Sequence, residues 1–179
     1  MADITAADRF HPPVAGDEAS TLIGFLRLQR DTLRWKCSGL DSAQLELALP
    51  PSEITLGGLL KHMSVVEAGW LNQFFAGGVH RPSWLDEMVP DDEDWSFRTA
   101  RGASPEQLFA WLEESIEVSD RVISDALADD LGLDALSVGE EDGTHVSLRW
   151  IICHLIEEYA RHNGHADLIR ESIDGETGE

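Results

Sequence analysis

From Asp17 onward, apolar residues recur three and four positions apart, the spacing of one face of a helix. Leu22, Phe25, Leu26 and Leu33 mark the first run, and Asp17-Glu18 suits its start because carboxylates favour the positive end of the helix dipole. The pattern predicts a helix to about Lys36, stopping before Gly39, then a short helical turn from Asp41 closed by Pro50-Pro51. Leu59, His62, Met63, Val66, Trp70 and Phe74 predict a second helix, with Thr55 as its N-cap and Gly77-Gly78 at its end. Gly57 and Gly58 each cost that helix roughly 1 kcal/mol relative to Ala. Either a close helix contact or a looser first turn would account for them. Ser104-Pro-Glu-Gln opens a third helix with a cap, a proline at the first position and a glutamine three residues after the cap. Its stripe of Leu108, Trp111, Leu112, Val118 and Val122 reaches about Leu127. Ser147 caps a fourth, with Leu148, Ile151, Ile152, Leu155 and Tyr159 on its apolar face, running to about Ser172.

Four long amphipathic helices with polar connections predict an all-α four-helix bundle over residues 17–174. An extended lead-in of residues 1–16 precedes it and a polar tail, 175–179, follows. The connection over 79–103 is long, and it carries Pro82, Pro90 and the acidic run Asp91-Asp-Glu-Asp. Connections of this length are often functional covers, and Trp84 and Trp95 predict that parts of it pack down. The acidic, glycine-containing stretch from Asp129 to Gly143 reads as a plain connection; a β reading fits only isolated short runs.

Charge narrows the partners. With 13 basic and 34 acidic residues among 179, the formal charge is −21, and there is no basic stripe. Nucleic acid and anionic membrane surfaces both need clustered cations, so neither is an expected partner. The N-terminus lacks a basic region followed by an apolar core, and no apolar run approaches the ~20 residues of a membrane span. The expected compartment is the cytoplasm, with Cys37 and Cys153 as two reduced, mostly buried thiols.

Candidate chemistry concentrates in the fourth helix, where His154-Leu-Ile-Glu-Glu-Tyr-Ala-Arg-His-Asn-Gly-His places His154, Glu158, His162 and His165 on one slowly drifting stripe. Glu158 and His162 stand one turn apart, so both reach a single ion. Tyr159 and Leu155 beside them predict that the stripe lies at the edge of the core, where a carboxylate needs a countercharge, a shifted pKa or a metal. Arg161 and Arg149 are the candidate countercharges, so a Glu–His pair or a solvated face remains open. His62 is the second helix's lone histidine, between Leu59 and Val66. Such a residue is commonly a hydrogen-bonded core histidine, yet facing helices of a bundle also build metal sites this way. Two histidines and one carboxylate leave a fourth position open, as in catalytic zinc sites.

Three segments resemble the DinB-like superfamily: Leu22-Ile-Gly-Phe-Leu-Arg-Leu-Gln-Arg-Asp-Thr-Leu-Arg-Trp-Lys-Cys, Thr55-Leu-Gly-Gly-Leu-Leu-Lys-His-Met, and Arg161-His-Asn-Gly-His-Ala-Asp-Leu-Ile-Arg-Glu. More narrowly, they are similar to its uncharacterised actinobacterial-type branch, close to the mycothiol-dependent maleylpyruvate isomerases. The similarity spans about residues 17 to 175. It implies a four-helix bundle, often a homodimer, with a divalent metal held by His62, Glu158 and His162. Many relatives have histidine where Glu158 stands, and the isomerase branch has glutamate. His165 and His154 then fall outside the ligand set, in supporting positions. The resemblance further implies a zinc or nickel ion and a low-molecular-weight thiol, mycothiol or bacillithiol, used by an S-transferase or isomerase that acts on small electrophiles. Metal-assisted hydrolysis and a non-enzymatic metal-binding bundle are the alternatives.

Overall fold

The computed structural model describes residues 4–87 and 95–178. Helix α1 (Glu18–Cys37) is capped by the Asp17 carboxylate, which accepts from the Ser20 amide. It ends at Gly39, whose φ of +71° closes the helix in a conformation favourable to glycine. The turn α2 (Ser42–Leu45) is closed by a reciprocal pair of hydrogen bonds between Asp41 and Gln44. The second long helix, α3 (Leu56–Glu67), begins at Thr55, whose hydroxyl accepts from the Gly58 amide. It continues without a break into a π-helical segment, Ala68–Phe75. Ser104 caps α5 (Pro105–Ala128), and Ser147 caps α6 (Leu148–Asp174), which Gly175 ends at φ +80°. These four helices are the ones the periodicity predicts. Helix α1 lies along α6 and α3 along α5. Leu26, Leu33, Leu59, Met63, Leu112 and Leu155 are among the fully or almost fully buried residues between them.

The paired glycines of α3 are explained by close packing. A Cβ on Gly57 would sit 3.2 Å from Leu108 Cδ1, and one on Gly58 would sit 2.7 Å from Phe97 Cδ1. Phe97 belongs to a short helix, α4 (Trp95–Ala100), inside the long connection. Trp84 and Trp95 are buried, as expected of that segment. The run Asp91 to Asp94 lies outside the described residues. Lys61 helps fix α4: its Nζ stands 4.4 Å from the Trp95 ring centroid and 3.8 Å from that of Trp111 on α5.

Two expectations are corrected. The stretch from Asp129 to Gly143 is no plain connection, because β1 (Leu136–Glu141) pairs antiparallel with β2 (Thr144–Ser147). Asp142 and Gly143 form the turn with φ of 50° and 75°, the combination that matches the twist of a two-residue hairpin. Gly139 lets this hairpin lie against Phe74, since a Cβ there would come within 2.7 Å of that ring. The hairpin thus braces the π-helical end of α3. Both cysteines are free, but Cys153 is exposed rather than buried. Burial of Cys37 pushes its thiol well above the usual range, so it stays protonated.

The core also holds a complete polar network. Arg30 of α1 makes a two-pronged bond to Glu67, Nε to Oε1 at 2.6 Å and Nη2 to Oε2 at 2.8 Å. Tyr159 of α6 donates its hydroxyl to Glu67 Oε1 at 3.0 Å. Arg30 Nη1 also reaches Asp120 of α5 at 2.7 Å. Helices α1 and α6 are joined to α3 through this one carboxylate, and α5 is joined to α1 through Arg30.

Candidate metal centre

One turn and a half before Glu67 on α3, and one residue before Tyr159 on α6, stands a second polar pair with a different environment. His62 projects from α3 and Glu158 from α6, with His62 Nε2 3.9 Å from Glu158 Oε2. His162, one turn further along α6, places its Nε2 3.5 Å from the same oxygen. The two imidazole rings meet edge to face, with centroids 4.7 Å apart and an interplanar angle of 71°. One donor atom from each of the three residues lies within 4.8 Å of the others. Around a tetrahedral ion with bonds of ~2.0–2.1 Å, neighbouring donor atoms stand about 3.3 Å apart. Small side-chain rotations therefore close this set on one cation, and its chemistry of two imidazoles and a carboxylate suits zinc or nickel.

Glu158 has not been neutralised by the arginines considered from sequence. Arg161 is bonded to Glu157, and Arg149 to Glu18 and Asp134. Histidines gather round the carboxylate instead, with His154 Nε2 3.9 Å from its other oxygen, Oε1. Two of them, His62 and His162, are held neutral. Burial, and then the neighbouring His162, lower the pKa of His62 to about 4. Burial also lowers the pKa of His162, outweighing the opposing pull of Glu158. A neutral imidazole has a lone pair available for a cation at neutral pH, with no proton to displace from it.

The surroundings orient each group. The Phe97 ring stacks on His62, centroids 5.1 Å apart and planes 20° apart. His165 brings its Nδ1 to 3.4 Å from His162 Nδ1, leaving His162 Nε2 to face Glu158. His154 is stacked on Trp150 and meets Trp70 of the π-helical segment edge-on. All five residues singled out on the sequence thus fall in one neighbourhood. His62, Glu158 and His162 form its centre, with His165 and His154 on either side.

An open cleft of about 500 Å³ reaches this centre at His162, walled by Thr55, Phe97, Arg98 and Arg101. Sequence reasoning did not find these lining residues. Helix α4 is only six residues long, so it shows no helical period. The one legible hint is Gly58, which leaves room for a side chain without saying whose.

Comparison with known proteins agrees with this picture. The family model for mycothiol-S-transferase matches residues 21–175, and the chain belongs to that family. This accords with the DinB-like resemblance carried by the motifs of α1, α3 and α6. No curated protein matches the chain. Among solved structures, a conserved protein from Enterococcus faecalis aligns with a TM-score of 0.68 at 15 % identity, covering 90 % of this chain and 100 % of that one. At that identity the likeness concerns the fold. Among the described residues no helix is long and apolar enough to cross a membrane.

Proposed function

We propose that this member of the mycothiol-S-transferase family binds one divalent cation, zinc by preference, through His62, Glu158 and His162, and transfers a low-molecular-weight thiol to a small electrophile. The observation that carries this reading is the donor set itself: two imidazoles and a carboxylate within 4.8 Å of one another, at the wall of an open cleft. His62, Glu158 and His162 would hold such a cation, which would supply Lewis acidity that favours the thiolate, the nucleophilic form of the thiol.

The protein's own residues do the rest. His62 and His162, both held neutral, supply lone pairs, and Glu158 supplies the negative charge that offsets part of the ion's. Phe97 covers one face of His62 and excludes water from that side. The cleft admits thiol and electrophile together, so that sulfur meets carbon within one enclosure. A carbon–sulfur bond forms with the sulfur's electron pair, and the displaced group leaves with the pair of its own broken bond. The thiol proton passes to solvent through the open cleft. Cys37 takes no part, being buried and protonated. A reduced thiol cosubstrate fits a reducing compartment such as the cytoplasm.

The test is metal analysis followed by thiol consumption against a panel of electrophiles. We expect about one equivalent of zinc or nickel per chain, lost in His62→Ala and His162→Ala, with turnover that depends on both metal and mycothiol. Rates indifferent to any added thiol would exclude the transferase reading. A full complement of metal in both variants would exclude the site.

A further inference from the structure

The cleft does not end at His162. Past Thr55 it runs into a second hollow of about 340 Å³, and Glu53, Thr55 and Arg101 line both. The two hollows have different walls. The arm beside His162 carries the Phe97 ring, whereas the outer arm is walled by Glu46, Ser52, Glu53 and Arg101, with Ala48 as its only apolar side chain.

This outer arm is fixed in shape. The Gly102 amide donates to Glu46 Oε1 at 2.7 Å, tying the end of α2 to the turn after α4. Ala48 and Thr55 pair as an antiparallel bridge, which holds the loop between them across one side. Carboxylates and a guanidinium therefore line one hollow, with Glu46 held in place by the Gly102 amide.

Such a wall selects its occupant by chemistry. An anionic group would lie against Glu46 and Glu53 in a chain whose formal charge is −21. An apolar group would strip water from charged side chains without giving hydrogen bonds in return. A neutral chain of hydroxyls satisfies both signs, since vicinal hydroxyls donate to carboxylates and accept from a guanidinium. Mycothiol is built in that way: an N-acetylcysteine joined through an uncharged amide to a glucosaminyl-inositol.

We propose that the outer arm, walled by Glu46, Glu53 and Arg101, binds the glucosaminyl-inositol end of the thiol, while the arm beside Phe97 takes the sulfur and the electrophile. This assignment rests on the thiol-transfer reading above. It adds that thiol selectivity is set about the outer arm and not at the metal. Glu46, which lines the outer arm alone, is a specificity residue, and Glu53 and Arg101 stand where the two arms meet.

Two measurements on the metal-loaded protein test it. The first compares kcat/KM for mycothiol and for N-acetylcysteine amide, which keeps the thiol and the uncharged amide and lacks the sugar, in wild type and in Glu46→Gln, a residue that lines the outer arm alone and keeps an acceptor for the Gly102 amide. A charge-assisted hydrogen bond lost to a bound hydroxyl corresponds to roughly a tenfold effect. We expect KM for mycothiol to rise about tenfold in Glu46→Gln, with the kinetics of N-acetylcysteine amide unchanged. Equal changes for both thiols, or none for mycothiol, would overturn the assignment. The second titrates N-acetylglucosaminyl-inositol, which has no thiol, into the protein by NMR. Binding weakened in Glu46→Gln supports the assignment even if no thiol is turned over, in which case only the transferase reading fails. Absence of binding to wild type at millimolar concentration sinks the sugar site alone.

Discussion

Two glutamates, each set between α3 and α6, show how one bundle makes a structural carboxylate and a candidate functional one. Glu67 is fully buried, and both its oxygens are engaged by the Arg30 guanidinium, with Tyr159 added on one of them. Its valence is complete. Glu158 is part-exposed, and its neighbours are the imidazoles of His62, His162 and His154. The arginines within its reach along the chain bind other carboxylates. A guanidinium brings its own positive charge and closes a site, whereas neutral imidazoles bring lone pairs and leave the site wanting a cation. The difference between the two places is therefore the kind of nitrogen that faces the carboxylate. Burial alone does not make it.

The sharpest way to break that distinction is to attack the completed site first. Arg30→Met leaves Glu67 buried with only a phenol beside it, and removing one partner of such a pair costs about 3–5 kcal/mol. Burial, and then the Glu67 charge, hold the Tyr159 phenol well above its usual pKa, so it donates and cannot replace the guanidinium's charge. We expect urea unfolding of the metal-free protein to show that loss, and the double replacement Arg30→Met with Glu67→Leu to recover much of it. A change below ~1 kcal/mol would mean that Glu67 is no more fixed than Glu158.

At the open site the same kind of change should act on binding instead of folding. Glu158→Gln is isosteric and leaves no buried charge behind. In chelated protein its unfolding free energy should stay within about 0.5 kcal/mol of wild type, as for a surface change. Its zinc affinity, measured by chelator competition, should fall by more than the ~100-fold typical of supporting residues. Retained affinity would remove Glu158 from the ligand set.

A third outcome concerns pH. The folded-state pKa of His62, about 4, lies below its ordinary 6.5. Between those values the unfolded chain takes up a proton at this residue and the folded chain does not. The contribution of His62 to stability is therefore intact above about pH 6.5 and is lost as pH falls towards 4. The span of 2.5 units bounds the effect at about 3 kcal/mol. It should be read as wild type minus His62→Gln in metal-free protein, so that the titration of the many surface carboxylates cancels. A difference that is flat with pH would place His62 in water.

Much of this was legible in the chain. The four helices follow from apolar spacing and from the side-chain caps at Asp17, Thr55, Ser104 and Ser147, because both signals are local. The stripe from His154 to His165 was legible for the same reason, since helical spacing fixes which residues share a face. That His62 meets Glu158 depends on the register of two helices far apart in sequence, which no local signal sets; the DinB-like motifs supplied it. The hairpin was missed although Asp142-Gly143 is a strong turn signal, because its strands are short and the exposed Leu136 and Val138 do not alternate cleanly into a core. Phe97 and the outer arm were missed because they come from a six-residue helix and a loop, where side-chain direction carries no period.

The smallest expected effect lies one step outside the three proposed ligands, and it sharpens what would make the open site a binding site. His165 Nδ1 and His162 Nδ1 stand 3.4 Å apart, a distance at which one nitrogen carries the proton. His162 Nε2 faces Glu158, so for it to offer a lone pair there the proton must sit on Nδ1 and be donated to His165. His165 is thus an acceptor that fixes the tautomer of a neighbouring ligand. His165→Ala removes the acceptor and should weaken zinc binding roughly 10- to 100-fold while leaving chelated-protein stability nearly unchanged. His165→Gln retains an acceptor oxygen at similar reach and should restore most of the affinity. If alanine and glutamine behave alike, the tautomer of His162 is set by something other than His165.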